Sequence, residues 1–299
     1  MNSKPRMIAI DMDGTLVHPG GTITEANQVA IRQARSAGAR IVVATGRRHS
    51  YAMKILRMLP LQPEDIVLSS NGTVGRTATG ELIFRNPMLP DTAQWLCGQL
   101  GEYRDAFLFT FDALGEDGED MPGALVLENV HTLHNSISSW MTANEKYIRR
   151  VARIEDALDG AVGTPIQAMM CGTLERMERA YTALAAIHDD RLSLSRTEYP
   201  ARDLCILDIM PPGCSKGTGL KRLLAREGLG TGDLMCVGDN WNDVSMLEMA
   251  RWPCLMGNAP AALKAIAVEK GWKITSNHDE NGVAEALSAH FSSDVECYS

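Results

Sequence analysis

Two acidic residues follow the first apolar segment of the chain, in the sequence Asp11-Met12-Asp13-Gly14-Thr15. Residues 7–10 before them form a short continuous apolar run, which is typical of a strand buried on both faces. Ligands of open parallel sheets bind beyond the carboxyl ends of the strands, so both carboxylates are expected at a binding edge. One could act as a nucleophile that forms an acyl phosphate while the other serves as acid and base. The alternatives are a polar turn and a calcium loop, the latter disfavoured because Leu16 stands where that loop needs glycine.

A second polar segment, Gly238-Asp239-Asn240-Trp241-Asn242-Asp243, follows another buried-strand pattern. Asp239 and Asp243, brought to the same edge as Asp11, would supply the hard oxygen ligands that Mg²⁺ prefers. A metal ion would also overcome the repulsion between these acids and a phosphate group. The alternative is a capping role for Asn242 or Asp243 at the start of the next helix. The two roles are compatible for Asp243 and less so for Asp239.

Two weaker signals complete a candidate phosphate site. Thr45 and Gly46 follow a second predicted strand and offer a hydroxyl and free N–H groups to a phosphate oxygen, although Thr-Gly is also common in ordinary turns. Lys216 lies at the predicted start of a helix, where the helix dipole disfavours a cation. A lysine there requires a negatively charged partner, and its removal is expected to leave stability unchanged or slightly raised. The surrounding sequence is not a Walker A loop, because Lys216 is followed by glycine instead of Ser or Thr.

Strands and helices that alternate at both ends of the chain must position these residues. The first half contains predicted strands at 7–10, 41–44 and 66–68, and predicted helices at 24–37 and 50–58. The second half contains predicted strands at 234–237, 254–256 and 272–274, and predicted helices at 215–226, 260–268 and 283–290. This alternation indicates an α/β fold with a doubly wound, Rossmann-like parallel sheet.

The middle of the chain is less regular, and we expect it to form an inserted α+β domain. The segments on either side of it each look like an incomplete piece of one sheet. Predicted strands lie at 124–127, 166–171, 192–196 and 204–209, and predicted helices at 92–100, 138–150 and 174–187. The predicted domains are a core of residues 1–84 and 213–299 and an inserted domain of residues 85–212. Prolines at 87, 90, 211 and 212 mark the predicted linkers.

Composition excludes several other classes of protein. The 299 residues include 29 Lys and Arg against 37 Asp and Glu, a net charge of −8, which argues against a nucleic-acid partner because that role needs clustered cations. The seven cysteines form no Cys-x-x-Cys pair, so neither a disulfide framework nor a thiolate zinc site is indicated. The N-terminal apolar run is too short for a signal peptide, and no run of roughly 18 apolar residues could cross a membrane. We expect a soluble, cytoplasmic protein, whose oligomeric state the sequence does not indicate.

Four segments together resemble the motifs of the haloacid dehalogenase superfamily of phosphatases, in the same order along the chain. They are Asp11–Thr15, Thr45, Lys216 and Gly238–Asp243. The chain further resembles the Cof-like branch of that superfamily, with similar runs at 44–47, 70–72, 215–217, 256–259 and 281–284. The resemblance covers residues 1–84 and 213–290, and its first and fourth motifs are the specific ones. It implies that the inserted domain is a large α/β cap between the second and third motifs.

This resemblance implies Mg²⁺-dependent hydrolysis of a small phosphorylated metabolite, such as a sugar phosphate or a phosphorylated cofactor, through an aspartyl-phosphate. Asp11 would be the nucleophile and Asp13 the acid and base. Phosphate ligands would be Thr45, Gly46, Lys216 and Asn242, and metal ligands would be Asp11, Asp13, Asp239 and Asp243. Possible substrate contacts are Asn71 and Arg47, although Asn71 beside Gly72 also suits a tight turn. Cap side chains that could reach the leaving group are His131, His134, Trp140, Tyr147, Arg149 and Arg150, the last two also being expected on a solvated helix face.

Two other functions are open at this point. A phosphomutase of the same fold would need a cap that retains the intermediate and keeps water out. A non-catalytic protein that binds phosphorylated metabolites would be favoured by the loss of Asp11 or Asp13, and both residues are present.

Overall fold

The computed structural model of the chain describes residues 4–18, 20–59, 61–128 and 135–291. Within these ranges the strands form two sheets, one of eight strands and one of six. His131 and His134, considered above as substrate contacts, lie outside the described residues. None of the described helices combines the length and the apolar character that crossing a membrane requires.

Fourteen strands and nine α-helices make up the regular structure of the described residues. The strands are β1 (Met7–Asp11), β2 (Arg40–Ala44), β3 (Ile66–Ser69), β4 (Val74–Thr77), β5 (Leu82–Arg85), β6 (Phe107–Thr110), β7 (Leu125–Glu128), β8 (Ile148–Val151), β9 (Gln167–Gly172), β10 (Ser193–Tyr199), β11 (Leu204–Met210), β12 (Leu234–Gly238), β13 (Trp252–Leu255) and β14 (Lys273–Ile274). The helices are α1 (Glu25–Ser36), α2 (His49–Leu56), α3 (Pro90–Gln99), α4 (Ser138–Asn144), α5 (Leu174–Ala185), α6 (Lys216–Arg226), α7 (Val244–Leu247), α8 (Ala261–Glu269) and α9 (Gly282–Phe291).

The eight-stranded sheet unites the two ends of the chain in the order β14-β13-β12-β1-β2-β3-β4-β5. All pairs from β14 to β3 are parallel, and β4 and β5 add an antiparallel edge. Ile8 and Ile10 of β1 pack in one buried cluster with α1 and α9, whereas Met7 and Ala9 pack in another with α6 and α8. Helices on both faces explain the continuous apolar run, and the predicted doubly wound α/β core is confirmed.

The six-stranded sheet has the order β10-β11-β9-β6-β7-β8, and its strands pair antiparallel except β7 with β8. Side chains alternate between the faces of a strand. Phe107, Phe109 and Met170 therefore pack under α3 and α5, whereas Leu108 and Met169 point to the opposite face. The opposite face covers the carboxyl ends of the core strands, so this sheet is the cap over the first.

The chain passes from the first sheet to the second after β5 and returns after β11. The predicted boundary after residue 84 falls one residue before the end of β5, and the boundary after residue 212 falls between β11 and α6. The two connections lie side by side, because the Asn86 Nδ2 atom donates to Cys214 Sγ at 3.4 Å. We propose these connections as the linkers between core and cap.

The predicted helix at 138–150 is wrong in its second half. Helix α4 ends at Asn144, and Arg149 and Arg150 lie on β8, which pairs with β7. Tyr147 is 2% exposed and packs into the cap core, which anchors the turn between α4 and β8. Strands β4, β5 and β6 were not predicted either; each is four residues long, and β4 contains a glycine.

Candidate active site

Three carboxylates meet at the carboxyl edge of the core sheet. Asp11 ends β1, Asp239 follows the neighbouring strand β12, and Asp243 ends the short helical turn after it. All three are buried, and each offers an oxygen atom within 4.8 Å of an oxygen atom of the other two. Because β1 and β12 are adjacent and parallel, the fold brings together acids that are more than two hundred residues apart.

Lys216 lies between two of these acids. Its side chain is fully buried, with Nζ 2.5 Å from Asp11 Oδ1 and 2.6 Å from Asp243 Oδ1. Ser215 caps the helix by accepting from the Thr218 N–H, so that Lys216 becomes the first residue of α6. Burial alone lowers the pKa of Lys216, but the charges of Asp11 and Asp243 outweigh it and the pKa is raised, so the side chain is a cation. The negative partner expected for this lysine is therefore present.

Asp243 both caps the turn after β12 and belongs to the carboxylate cluster. Its Oδ2 atom accepts from the backbone N–H groups of Asp239 and Asn240, at 2.9 and 3.0 Å, while its Oδ1 atom faces Lys216. The capping bonds hold the loop after β12 in a tight turn that directs Asp239 toward Asp11.

The cluster carries more negative charge than its lysine can balance. Burial, then the charge of Asp243, raises the pKa of Asp11 to about 7 against the opposing effect of Lys216. Burial, then Asp11 and Asp243, also raises the pKa of Asp239 well above its usual range. Asp239 accepts hydrogen bonds from neutral donors, Thr15 Oγ1 at 3.1 Å and Asn258 Nδ2 at 3.2 Å. Buried carboxylates with excess charge and hard oxygen donors fit a divalent cation.

The Asp13 carboxylate is not part of this three-acid cluster, and its role as a metal ligand stays a prediction. Its Oδ2 atom accepts from Arg47 Nε at 2.7 Å, and its Oδ1 atom pairs with Arg47 Nη2. The guanidinium binds this carboxylate through a two-bond fork. Arg47, predicted as a substrate contact, lines the same cavity but is engaged by Asp13.

Thr45 and Gly46 form the turn after β2. The Thr45 hydroxyl is buried and accepts from the Arg47 N–H at 3.1 Å. Gly46 lines the cavity, and a Cβ atom there would lie 3.3 Å from Asn71 Nδ2, which leaves little room for a side chain. The structure thus brings both residues to the site edge, with Gly46 at the surface and Thr45 behind it.

Asn71 connects the cap to the loop after β12, which carries Asp239 and Asp243. It has a left-handed backbone with φ of 52°, as the turn interpretation predicts. Its Nδ2 atom donates to Asp208 Oδ2 at 2.8 Å, and its Oδ1 atom accepts from Asn242 Nδ2 at 3.2 Å. The next residue, Gly72, has φ of 91°, and a Cβ atom there would lie 2.1 Å from the Ser215 carbonyl oxygen. Only glycine lets this loop approach the start of α6 so closely.

Asp208 is a buried acid that the sequence analysis missed. Burial raises its pKa to about 7, although hydrogen bonds from Asn71 and Gln167 oppose the rise. The available signal was an acid in the otherwise apolar strand β11. It lines the cavity from the cap side.

A cavity of about 700 Å³ lies between the two sheets. Asp11, Asp13, Asp239, Asn242, Gly46 and Arg47 line its core side. Thr45, Asn71, Lys216 and Asp243 lie just behind that lining. Of the described cap residues considered above, Trp140 lines the cavity, whereas Tyr147, Arg149 and Arg150 do not.

Buried polar contacts hold the cap against the core on both sides of the cavity. Arg48 donates from Nε to Asp120 Oδ2 and from Nη2 to Asn144 Oδ1, both at 2.7 Å. On the other side, the Asn240 side-chain amide makes two hydrogen bonds with the backbone of Glu198, at 3.1 and 3.0 Å. The cap is therefore closed over the site.

Residues 8–287 match the family model of the haloacid dehalogenase-like hydrolases, a span that includes the whole carboxylate cluster. The chain belongs to this family. It is 29% identical over 290 residues to the 5-amino-6-(5-phospho-D-ribitylamino)uracil phosphatase YwtE of Bacillus subtilis strain 168, which covers 93% of this chain and 96% of the relative. It is 26% identical over 297 residues, 95% of this chain, to the chloroplastic endoribonuclease YBEY of Arabidopsis thaliana, but spans only 46% of that relative's length.

Among solved structures, a haloacid dehalogenase-like hydrolase from B. subtilis is similar in fold, with a TM-score of 0.76. The match is 23% identical and covers 95% of this chain and 99% of the other. These relatives confirm the predicted resemblance to Cof-like phosphatases of the superfamily. They also confirm the predicted enzyme class, a phosphoric monoester hydrolase of the haloacid dehalogenase type.

Proposed function

We propose that this haloacid dehalogenase-like phosphatase hydrolyses small phosphate monoesters in a Mg²⁺-dependent reaction, through an aspartyl-phosphate formed on Asp11. The observation that carries the proposal is the buried cluster of Asp11, Asp239 and Asp243 around Lys216 at the base of the cavity. When bound by the three carboxylates, Mg²⁺ would neutralise their excess charge and polarise the phosphoryl oxygens.

In the first step, one Asp11 oxygen attacks phosphorus. Lys216 holds Oδ1 at 2.5 Å, which fixes the carboxylate so that Oδ2 can face the substrate. The bond from Asp11 to phosphorus forms while the bond to the leaving oxygen breaks, and Asp13 gives that oxygen a proton. Because Arg47 engages Asp13 in this structure, the acid role requires that ion pair to open when the phosphate enters. The freed guanidinium could then bind a phosphoryl oxygen.

In the second step, Asp13 takes a proton from a water molecule that attacks the phosphorus. The bond to Asp11 breaks, inorganic phosphate leaves, and the Asp11 carboxylate is restored. We propose that Gly46 and Asn242 at the cavity surface contact the phosphoryl group. Thr45 would support it through the turn that it stabilises, and Lys216 would spread the charge that develops in both steps.

The test is phosphate release from a panel of small phosphate monoesters, measured with Mg²⁺ and with EDTA. We expect release that requires Mg²⁺, is abolished in Asp11→Asn, and persists in the matched control Asp91→Asn, which alters an exposed acid on α3. Full activity of a correctly folded Asp11→Asn variant would contradict the proposal. Isomerisation of a phosphorylated sugar without release would indicate the phosphomutase, and binding without either reaction would indicate the non-catalytic protein. Cytoplasmic location and the absence of a nucleic-acid partner stay predictions from the sequence.

A further inference from the structure

The roof of the cavity is one face of the cap sheet. Along β9, Ala168 and Met170 pack into the cap core, whereas Gln167 and Met169 face the cavity. The same alternation in β6 and β11 brings further side chains to this face. The roof is thus a continuous surface built on rigid strands, opposite the carboxylate cluster.

Most of this roof is apolar. Its apolar side chains are Leu108, Leu125, Trp140, Met169, Leu204 and Ile206. Trp140, Met169 and Ile206 are only half buried, so they offer part of their surface to the cavity. Met169 and Ile206 lie on β9 and β11 in the interior of the sheet, where apolar side chains are normally packed, and Trp140 lies beside them on α4.

Two polar side chains of the roof sheet, Gln167 and Asp208, are engaged within the protein. Gln167 Nε2 donates to Asp208 Oδ1, and Asn71 Nδ2 donates to Asp208 Oδ2. Two arginines at the cavity wall are engaged in the same way, Arg47 by Asp13 and Arg48 by Asp120. Thr110, Thr197 and Tyr199 also line the cavity, but the surface that a substrate body meets around Trp140, Met169 and Ile206 is apolar.

Sugar hydroxyls buried against this apolar part of the roof would lose water without gaining hydrogen-bond partners, which disfavours binding. An apolar body gains by leaving water, and an aromatic ring gains further from contact with Trp and with the Met sulfur atom. We propose that the cap selects phosphate monoesters whose leaving group carries an aromatic body over those of polyhydroxylated sugars. This inference rests on the proposed function and names the substrate class of the same site, with Trp140, Met169 and Ile206 as the specificity-determining residues.

The test compares kcat/KM for 2-phenylethyl phosphate and glucose 6-phosphate. Both are esters of primary alcohols, so their intrinsic reactivities are similar and the ratio reports recognition by the cap. We expect at least a tenfold preference for the phenylethyl ester. Met169→Gln, which introduces a polar side chain of similar size, should reduce the ratio about tenfold. The matched control Met58→Gln alters an exposed methionine outside the cavity and should leave the ratio unchanged.

Equal or reversed preference in the wild-type protein would overturn the inference and leave the proposed phosphatase intact. An unchanged ratio in folded Met169→Gln would overturn the assignment of the roof side chains as specificity-determining. Ile206→Thr provides the same test if the first variant does not fold. Absence of phosphate release from both esters and from 4-nitrophenyl phosphate would contradict the proposed function itself, and the inference with it.

Discussion

Replacing Lys216 with Met tests how the carboxylate cluster is balanced. The side chain is fully buried between Asp11 and Asp243, and Met fills a similar volume, so the main change is the loss of charge. Removing one partner of a buried pair costs about 3–5 kcal/mol, because it leaves an uncompensated charge. The opposing gain, relief of a cation at a helix start, is only a few tenths to ~1 kcal/mol. The lost ion pairs therefore dominate, and they replace the expectation from the dipole alone that stability stays unchanged or rises.

The assay is urea or thermal unfolding of the Lys216→Met variant in EDTA, with turnover measured on the same preparations. We expect a midpoint temperature lower by on the order of 10 °C, together with a severe loss of activity. Lys221→Met is the matched control, because Lys221 lies exposed on the same helix. Lys216→Arg should rescue only partly, since a planar fork does not replace a compact charge. Unchanged stability would refute the account of the cluster, and near-normal turnover would show that another cation neutralises the phosphate, with Arg47 the first to test.

Three further perturbations test other parts of the account. Asp13→Asn should lower turnover by about 10²–10⁴, with the larger loss for poor leaving groups; equal losses across leaving groups would remove Asp13 from the acid role. Burial, then the charge of Arg76, lowers the pKa of His49 to about 4, below its ordinary value of 6.5. The folded state therefore binds fewer protons than the unfolded state in this window, and the free energy of unfolding should fall by up to about 3 kcal/mol as the pH drops from 6.5 to 4. His49→Gln should remove this part of the pH dependence in denaturation at several pH values, and identical slopes for the two proteins would contradict it. Arg48→Met breaks a buried pair with Asp120 and should accelerate limited proteolysis at the two connections between core and cap, whereas unchanged cleavage rates would show that this contact does not hold the cap closed.

The acids of the core could be predicted because continuous apolar runs in the sequence indicate buried parallel strands. Asp11 and Asp239 each follow such a run, and the rule that strand ends meet at one edge brings them together without knowledge of the rest of the fold. Lys216 was found through the opposite signal, a cation at an unfavourable end of a helix. For Lys216, the conflict between its charge and the helix dipole pointed to a negatively charged partner elsewhere in the chain.

The remaining features depend on tertiary contacts that leave no local pattern. The pairing of Asp13 with Arg47 joins two loops, and nothing in the sequence of either loop indicates that the two side chains pair. Strand β8 is only four residues long, so its pattern competes with a helical one, as in the wrongly predicted helix at 138–150. Asp208 was missed because a single acid in an apolar strand is also typical of an exposed edge.

The central claim is that Asp11 carries the phosphoryl group, and trapping that group tests it most directly. The Asp13→Asn variant with an aryl phosphate and Mg²⁺ should accumulate the intermediate, because the aryl group leaves without an acid while the water step is slowed. Rapid reduction with borohydride converts an aspartyl-phosphate to homoserine, which peptide mass spectrometry locates in the sequence. We predict homoserine at position 11, in an amount that matches the burst of released aryl alcohol. A burst with residue 11 unmodified, or homoserine at any other position, would contradict the account.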